Sequence, residues 1–214
     1  MADTLRLSTI AGRQWTMIIT IASFKGGVGK TTTAVHLAAF LQSDAPTLLV
    51  DGDLNRSALQ WANAGGFDFQ VCDEAQAVKY SRKAEHIVID TPARPSIEEL
   101  ATLAGGCDLL IVPTSPDALA MGAMLQMLKH LDVQTFRVLL TLIPPKPSRR
   151  GTDARAALAA ASVPLFNAEI RLLDAFKKAA EQGSPVNKIT GDRMSAIAWR
   201  CYEKVGNEMM GYDR

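Results

Sequence analysis

A chain of 214 residues, 48% apolar and 21% charged, has the composition of a soluble globular protein and the length of one well-cored domain. Its longer apolar runs, such as Leu109–Pro113 and Val138–Pro145, fall far short of the ~18 residues that span a bilayer, and the start shows no signal-peptide pattern. A net charge of +1 singles out no partner; three widely spaced cysteines, Cys72, Cys107 and Cys201, with no C-x-x-C pair, argue against a disulfide framework or structural zinc site, and a reducing cytoplasm is the expected home.

Residues 1–16 show no sustained period and read as a loose extension before a single domain over 17–214. The run Met17-Ile-Ile-Thr-Ile-Ala-Ser23 predicts a buried strand leading straight into Phe24-Lys-Gly-Gly-Val-Gly-Lys-Thr-Thr-Thr33, and a helix is expected over Thr31–Leu41. Further strands are predicted at Thr47–Asp51, Phe67–Cys72, His86–Asp90, Asp108–Pro113 and Phe136–Ile143. They are near-continuously apolar, as parallel strands covered on both faces are. Ser96 and Glu99 form a capping box for a helix over Ile97–Leu103. Ser115-Pro116-Asp117 reads as an N-cap, a proline at the first helical position and a first-turn acid, opening a helix to about Leu131. Helices are also expected at Thr152–Ala161, Leu172–Gln182 and Arg193–Met209. The alternation predicts an α/β fold: a doubly wound, mostly parallel sheet with helices on both faces, joined by right-handed crossovers.

Strand, Gly-rich loop and helix stand in the order that phosphate binding requires. Glycines let backbone N–H groups curl around an anion, and the helix N-terminus adds positive partial charge. Lys30 is then placed to reach β- and γ-phosphates and the Thr31 hydroxyl to ligate Mg²⁺. The ordinary G-x-x-x-x-G-K-[ST] pattern is incomplete, because its first glycine falls on Phe24; a second lysine, Lys25, precedes Gly26-Gly27 instead. Two other strands end in carboxylates, Asp51-Gly-Asp53 and Asp90-Thr-Pro92. In a parallel sheet these ends share the edge that carries the Gly-rich loop, where ligands bind.

The segment Lys25-Gly-Gly-Val-Gly-Lys30-Thr31 resembles the deviant Walker A motif of the ParA/MinD superfamily, in a compact ParA-like form. That resemblance covers residues 17–206 and implies an ATP hydrolase acting as a switch, with ATP and Mg²⁺ as cofactors. It implies that Lys25, Gly26, Gly27, Val28, Gly29, Lys30, Thr31 and Thr32 hold the phosphates, with Lys25 crossing a homodimer interface to the partner's ATP. By the same resemblance Thr31, Asp51, Asp53 and Asp90 surround the metal: Asp90 is similar to the Walker B aspartate, and Asp53 to the residue that positions the attacking water. Lys25, Lys30 and Asp53 are thus the expected catalytic set. Leu54 and Asn55 stand where the family carries proline and glutamine, which touches the local loop geometry. Thr141, Pro144 and Pro145 occupy the place where relatives wall the adenine ring, and the absence of an N-K-x-D motif favours ATP over GTP.

What such a switch grips is written elsewhere. Lys and Arg are outnumbered by Asp and Glu 10 to 14 up to residue 136 and outnumber them 13 to 8 beyond it. ParA-like relatives coat DNA without reading its sequence and release it when a cargo adaptor stimulates hydrolysis. A nucleoid-associated location is therefore expected, with DNA contacts from the bases of that second half, Arg171, Lys177, Lys178, Lys188, Arg193, Arg200 and Lys204; the stretch from Arg171 through Lys178 resembles the family's approach to its DNA-contacting face, and the bland alternative for each is a solvated helix face. A MinD-like membrane switch is the rival, but Glu203, Glu208 and Asp213 make the tail a poor match for anionic lipid. Trp199, Tyr202 and Met209 are expected to pack on the core. A metabolic P-loop enzyme is the third alternative; its cluster-holding branch needs two cysteines per chain, and Cys107 has no matching second.

Overall fold

The computed structural model describes residues 17–131 and 136–211, so the expected extension over residues 1–16 lies outside them, as does Asp213. Six strands form one sheet in the order β3-β2-β4-β1-β5-β6: β1 (Met17–Ser23), β2 (Thr47–Asp51), β3 (Gln70–Asp73), β4 (His86–Ala93), β5 (Leu109–Thr114) and β6 (Phe136–Leu140). Every neighbouring pair is parallel. In register, Ile21 and Asp51 both sit opposite Asp90, so the acidic strand ends gather at one edge.

Successive strand residues serve opposite layers, as the period of two requires. Ile19, Ile21, Leu49, Val88, Ile111 and Leu139 join one core with α1 (Lys30–Gln42), α7 (Ala175–Glu181) and α8 (Arg193–Met210). Leu110, Val112, Val138 and Leu140 join the other with α4 (Ile97–Gly105), α5 (Ala118–Leu128) and α6 (Arg150–Ala160). Burying each such side chain contributes ~1.5–3 kcal/mol, which makes the covered sheet the stable frame of the site. Gly206 allows α8 to close on α1: a Cβ there would lie 2.4 Å from the Phe40 ring.

The capping box is as read, Ser96 accepting from the Glu99 N–H and Glu99 from the Ser96 N–H. Several expectations shift. β3 starts at Gln70 because Phe67 and Phe69 turn into an aromatic group with Trp61, ring centroids 4.8 and 6.2 Å apart. β6 stops at Leu140 because Leu142 adopts a left-handed conformation, φ 53°. Asp117, not Ser115, caps α5 by accepting from the Ala120 N–H at 2.8 Å, and that helix ends at Leu128. α7 begins at Ala175, since residues 170–172 are tied to the end of β6 instead (Ile143 N–H to Ile170 carbonyl, 3.0 Å; Leu172 N–H to Ile143 carbonyl, 2.8 Å). Two short helices, α2 (Ser57–Ala62) and α3 (Glu74–Ser81), had no reading in the sequence.

Candidate functional site

The Gly-rich loop leaves β1 and passes through positive φ at Gly27 (77°) and Gly29 (83°), where L side chains are strained. α1 starts at Lys30 with Gly29 as N-cap, no side-chain cap and no acidic residue in its first turn, which leaves its terminal N–H groups to an anion. The loop is tied from beneath by Thr141, whose hydroxyl donates to the Val28 carbonyl at 2.7 Å and to the Thr114 carbonyl at 3.1 Å.

Four of the expected side chains converge in front of the loop. Lys30 Nζ lies 2.9 Å from Asp90 and 3.2 Å from Asp53, and the Thr31 hydroxyl donates to the other Asp90 oxygen at 2.6 Å. Burial raises the Asp90 pKa above the usual carboxylate range, only partly offset by Lys30 and Thr31. Burial also works on Asp53, but the Asn55 N–H and the Lys30 ammonium outweigh it and hold its pKa low. Asn55, in the place of the family's glutamine, donates to Asp53 from both its backbone (3.0 Å) and its side chain (3.1 Å).

Two expected residues stand apart from this cluster. The Asp51 carboxylate, fully buried, accepts from the backbone N–H groups of Asp53 (3.2 Å) and Leu59 (3.0 Å), so it holds the turn into α2. Arg56, left-handed at φ 51°, reinforces that turn by donating to the Asp51 carbonyl and to Glu74. Lys25 points elsewhere: its Nζ lies 3.1 and 3.3 Å from the two oxygens of Asp117.

A cleft of about 690 Å³ runs from the loop past Trp61 and Tyr202 to Leu142, Ile170–Leu173 and Phe176, within the size range of nucleotide and cofactor sites. The residues expected to wall the adenine ring divide. Thr141 borders the cleft, but its hydroxyl is spent on the loop, and Pro144 and Pro145 do not line it. Leu142 and residues 170–173 form that end, because the chain after Pro164 runs beside β6 through isolated parallel bridges at Val138–Leu165 and Ile143–Arg171. Behind the cleft, His36 stacks on Tyr202 (4.8 Å, 11°). Its Nδ1 donates to the Thr32 carbonyl at 2.7 Å and its Nε2 accepts from the Val186 N–H at 3.1 Å, while burial lowers its pKa to about 4.

The seven expected DNA-facing cations divide. Arg171, Arg200 and Lys204 border a second open cavity of about 740 Å³, together with Ile197, Cys201 and Glu208. The carboxylates there are engaged: Glu208 accepts from the N–H groups of Asn167 and Ala168 (2.9 and 3.0 Å), and Glu169 pairs with Arg155 at 3.3 Å. Among the described residues no carboxylate lies within ion-pairing distance of those three cations. Arg193, seven and eleven residues before Arg200 and Lys204 on α8, is exposed on the same side of that helix. Lys177 pairs with Asp174 and, like Arg171, borders the nucleotide cleft, Lys188 pairs with Asp68, and Lys178 is exposed on α7. Trp199, Tyr202 and Met209 pack on the core as expected, and no described helix is long and apolar enough to cross a membrane.

A parallel sheet ending in a Gly-rich loop, with a lysine, a threonine and two carboxylates before it, defines a P-loop nucleotide-binding protein. Residues 19–186 match the CobQ/CobB/MinD/ParA nucleotide binding domain. The chain belongs to that family and is an ATPase of its ParA/MinD type. It is 31% identical over 202 residues to the maintenance of carboxysome distribution protein A of Gloeobacter kilaueensis, covering 90% of this chain and 93% of that one. In structure it is similar to an ATP complex of a Cyanothece McdA variant (TM-score 0.68, 19% identity, 92% of this chain and 98% of the other). It is also similar to MinD in the MinC:MinD cell division complex of Aquifex aeolicus (TM-score 0.69, 16% identity, 91% and 96%). At those identities the two structures speak for the fold alone.

Proposed function

We propose that this protein is a Mg²⁺-dependent positioning ATPase whose ATP-bound form is a homodimer that binds DNA without reading its sequence and moves a cargo recognised through an adaptor. The observation that carries the reading is the division of labour between two lysines. Lys30 lies inside its own phosphate site, whereas Lys25, one residue before the glycines, lies outside it. A lysine in that place is redundant for its own nucleotide and suited to one held by a second copy.

The donor set fits Mg²⁺: the Thr31 hydroxyl and the Asp90 carboxylate are adjacent hard oxygens at a strand end, with Asp53 beside them. Thr31 and Asp90 would hold the ion, whose positive charge would offset negative charge developing on the phosphates. Lys30, now bound to both carboxylates, is positioned to move onto the phosphates. Asp53, kept ionised and oriented by Asn55, orients the water. Asp51 shapes the loop that carries Asp53. Arg171, Arg200 and Lys204 supply the unpaired positive charge for a phosphate backbone. The similarity to proteins named for carboxysome distribution supports a protein compartment among the cargoes.

Sedimentation with random-sequence DNA, or with anionic liposomes, in ATP, ADP or no nucleotide tests the reading. ATP-dependent pelleting with DNA is expected; pelleting with liposomes alone would replace the DNA reading with a MinD-like membrane one.

A further inference from the structure

Lys25 does not border the nucleotide cleft, although Ser23, Gly26 and Gly27 on either side of it do. Its ammonium is held by both oxygens of Asp117, and among the described residues no other carboxylate lies within ion-pairing distance of it. The Asp117 carboxylate does not depend on the lysine for its place. It caps α5 through the Ala120 N–H and accepts the Ser115 hydroxyl, so the backbone fixes it. These contacts, that of Ser115 first, lower its pKa to about 2, so the carboxylate is charged at every pH at which the protein works. The pair is open to solvent, with 44% of the lysine and 39% of the aspartate side chain exposed. Leu119, on the first turn of α5, is 82% exposed, and Leu54, beside Asp53, is 86% exposed. The surface around both loops is therefore uncovered in the single subunit.

Building on the ATP-paired dimer proposed above, we propose that Asp117 is a positioning residue for Lys25: it holds the lysine on its own subunit while the cleft is unpaired and must release it before the lysine reaches nucleotide across the interface. The ion pair then opposes dimerisation by what it contributes to the monomer. Because the pair is solvent-exposed, that contribution is modest and reversible, as a switch that must cycle requires. Asp117 adds selectivity as well: only a partner carrying phosphate, which binds the ammonium more strongly than one exposed carboxylate, draws Lys25 away.

The test is Asp117→Asn, which removes the charge and keeps a residue that caps helices as well as aspartate does. Two readouts are compared with wild type. In nucleotide-free protein, the rate of Lys25 acylation by an amine-reactive label, read by mass spectrometry against the exposed Lys146 as internal reference, is expected to rise severalfold. In sedimentation with Mg²⁺ and a non-hydrolysable ATP analogue, the dimer is expected to tighten about two- to fivefold. Unchanged Lys25 labelling, or dimerisation no tighter than wild type, overturns the proposal while leaving the dimer reading intact. A wild type that stays monomeric with the analogue overturns the dimer reading itself, and the labelling arm then decides separately whether Asp117 holds Lys25. Unchanged melting temperature in the variant shows that the cap survives.

Discussion

The Thr141 hydroxyl, 113 positions from Val28 in the chain, donates to the Val28 carbonyl at 2.7 Å and so ties the phosphate loop to the end of β6. Thr141→Val keeps the shape and leaves that carbonyl without its partner; the Thr114 carbonyl still accepts from the residue-141 N–H. A loss of about 1–2 kcal/mol in unfolding free energy is expected, with weaker ATP binding, and Thr141→Ser should restore most of both. Urea melts and nucleotide titration check it; a Thr141→Val protein with normal ATP affinity would show that the tie is dispensable to the loop.

His36 predicts a pH dependence of stability. Its folded pKa, about 4, lies below the ordinary 6.5 because burial disfavours the charged ring. Between those values the unfolded chain binds more protons, so stability rises with pH and is lost as pH falls from 6.5 toward 4. The limb amounts to ~3 kcal/mol. Urea midpoints across that window should follow it in wild type and flatten in His36→Gln; an unchanged slope in the variant places the titration elsewhere.

Asp53→Asn keeps an acceptor for the Asn55 N–H and removes the charge facing Lys30. Hydrolysis should fall by about 100-fold or more while ATP binding is retained, because positioning and charge carry phosphoryl transfer. Phosphate release and analysis of bound nucleotide check this. Turnover at the wild-type rate, with adaptor present, would retire the assignment.

Arg200→Ala and Lys204→Ala should each weaken DNA binding equally on all sequences. Each should also flatten the dependence of log affinity on log salt by about 0.9 per lost phosphate contact, with ATP binding unaffected. Lys188→Ala serves as the contrast, since Lys188 is paired with Asp68; an equal effect from it would mean that general charge, not the α8 surface, is being read.

Much of the site was legible because it is local. Glycines, Lys30 and Thr31 sit within a few residues, and Asp51 and Asp90 end apolar runs whose parallel register brings them level. What the sequence hid is non-local or lacks an apolar stripe. α3 has no fully buried residue, only Ala77 and Tyr80 packing partly against β2 and β3, and α2 is six residues long behind a left-handed Arg56, so neither shows helical periodicity. Ser115 reads as the cap and Asp117 as a first-turn acid; the fold caps with Asp117 and spends the Ser115 hydroxyl on it. The far end of the cleft was hidden as well: the resemblance pointed only to Thr141, Pro144 and Pro145, whereas isolated bridges bring residues 170–173 there from beyond α6.

The central claim is that Lys25 and Lys30 serve different nucleotides, and paired titrations test it most directly. ATP affinity and ATP-dependent dimerisation are measured for Lys25→Ala and Lys30→Ala beside wild type. Lys30→Ala should lose ATP affinity by at least about tenfold, since a hydrogen bond to a charged group contributes ~1.5–3 kcal/mol. Lys25→Ala should bind ATP nearly as wild type does and fail to dimerise. Equal loss of affinity in the two variants, with dimerisation of Lys25→Ala intact at saturating ATP, would contradict the account and return Lys25 to its own subunit.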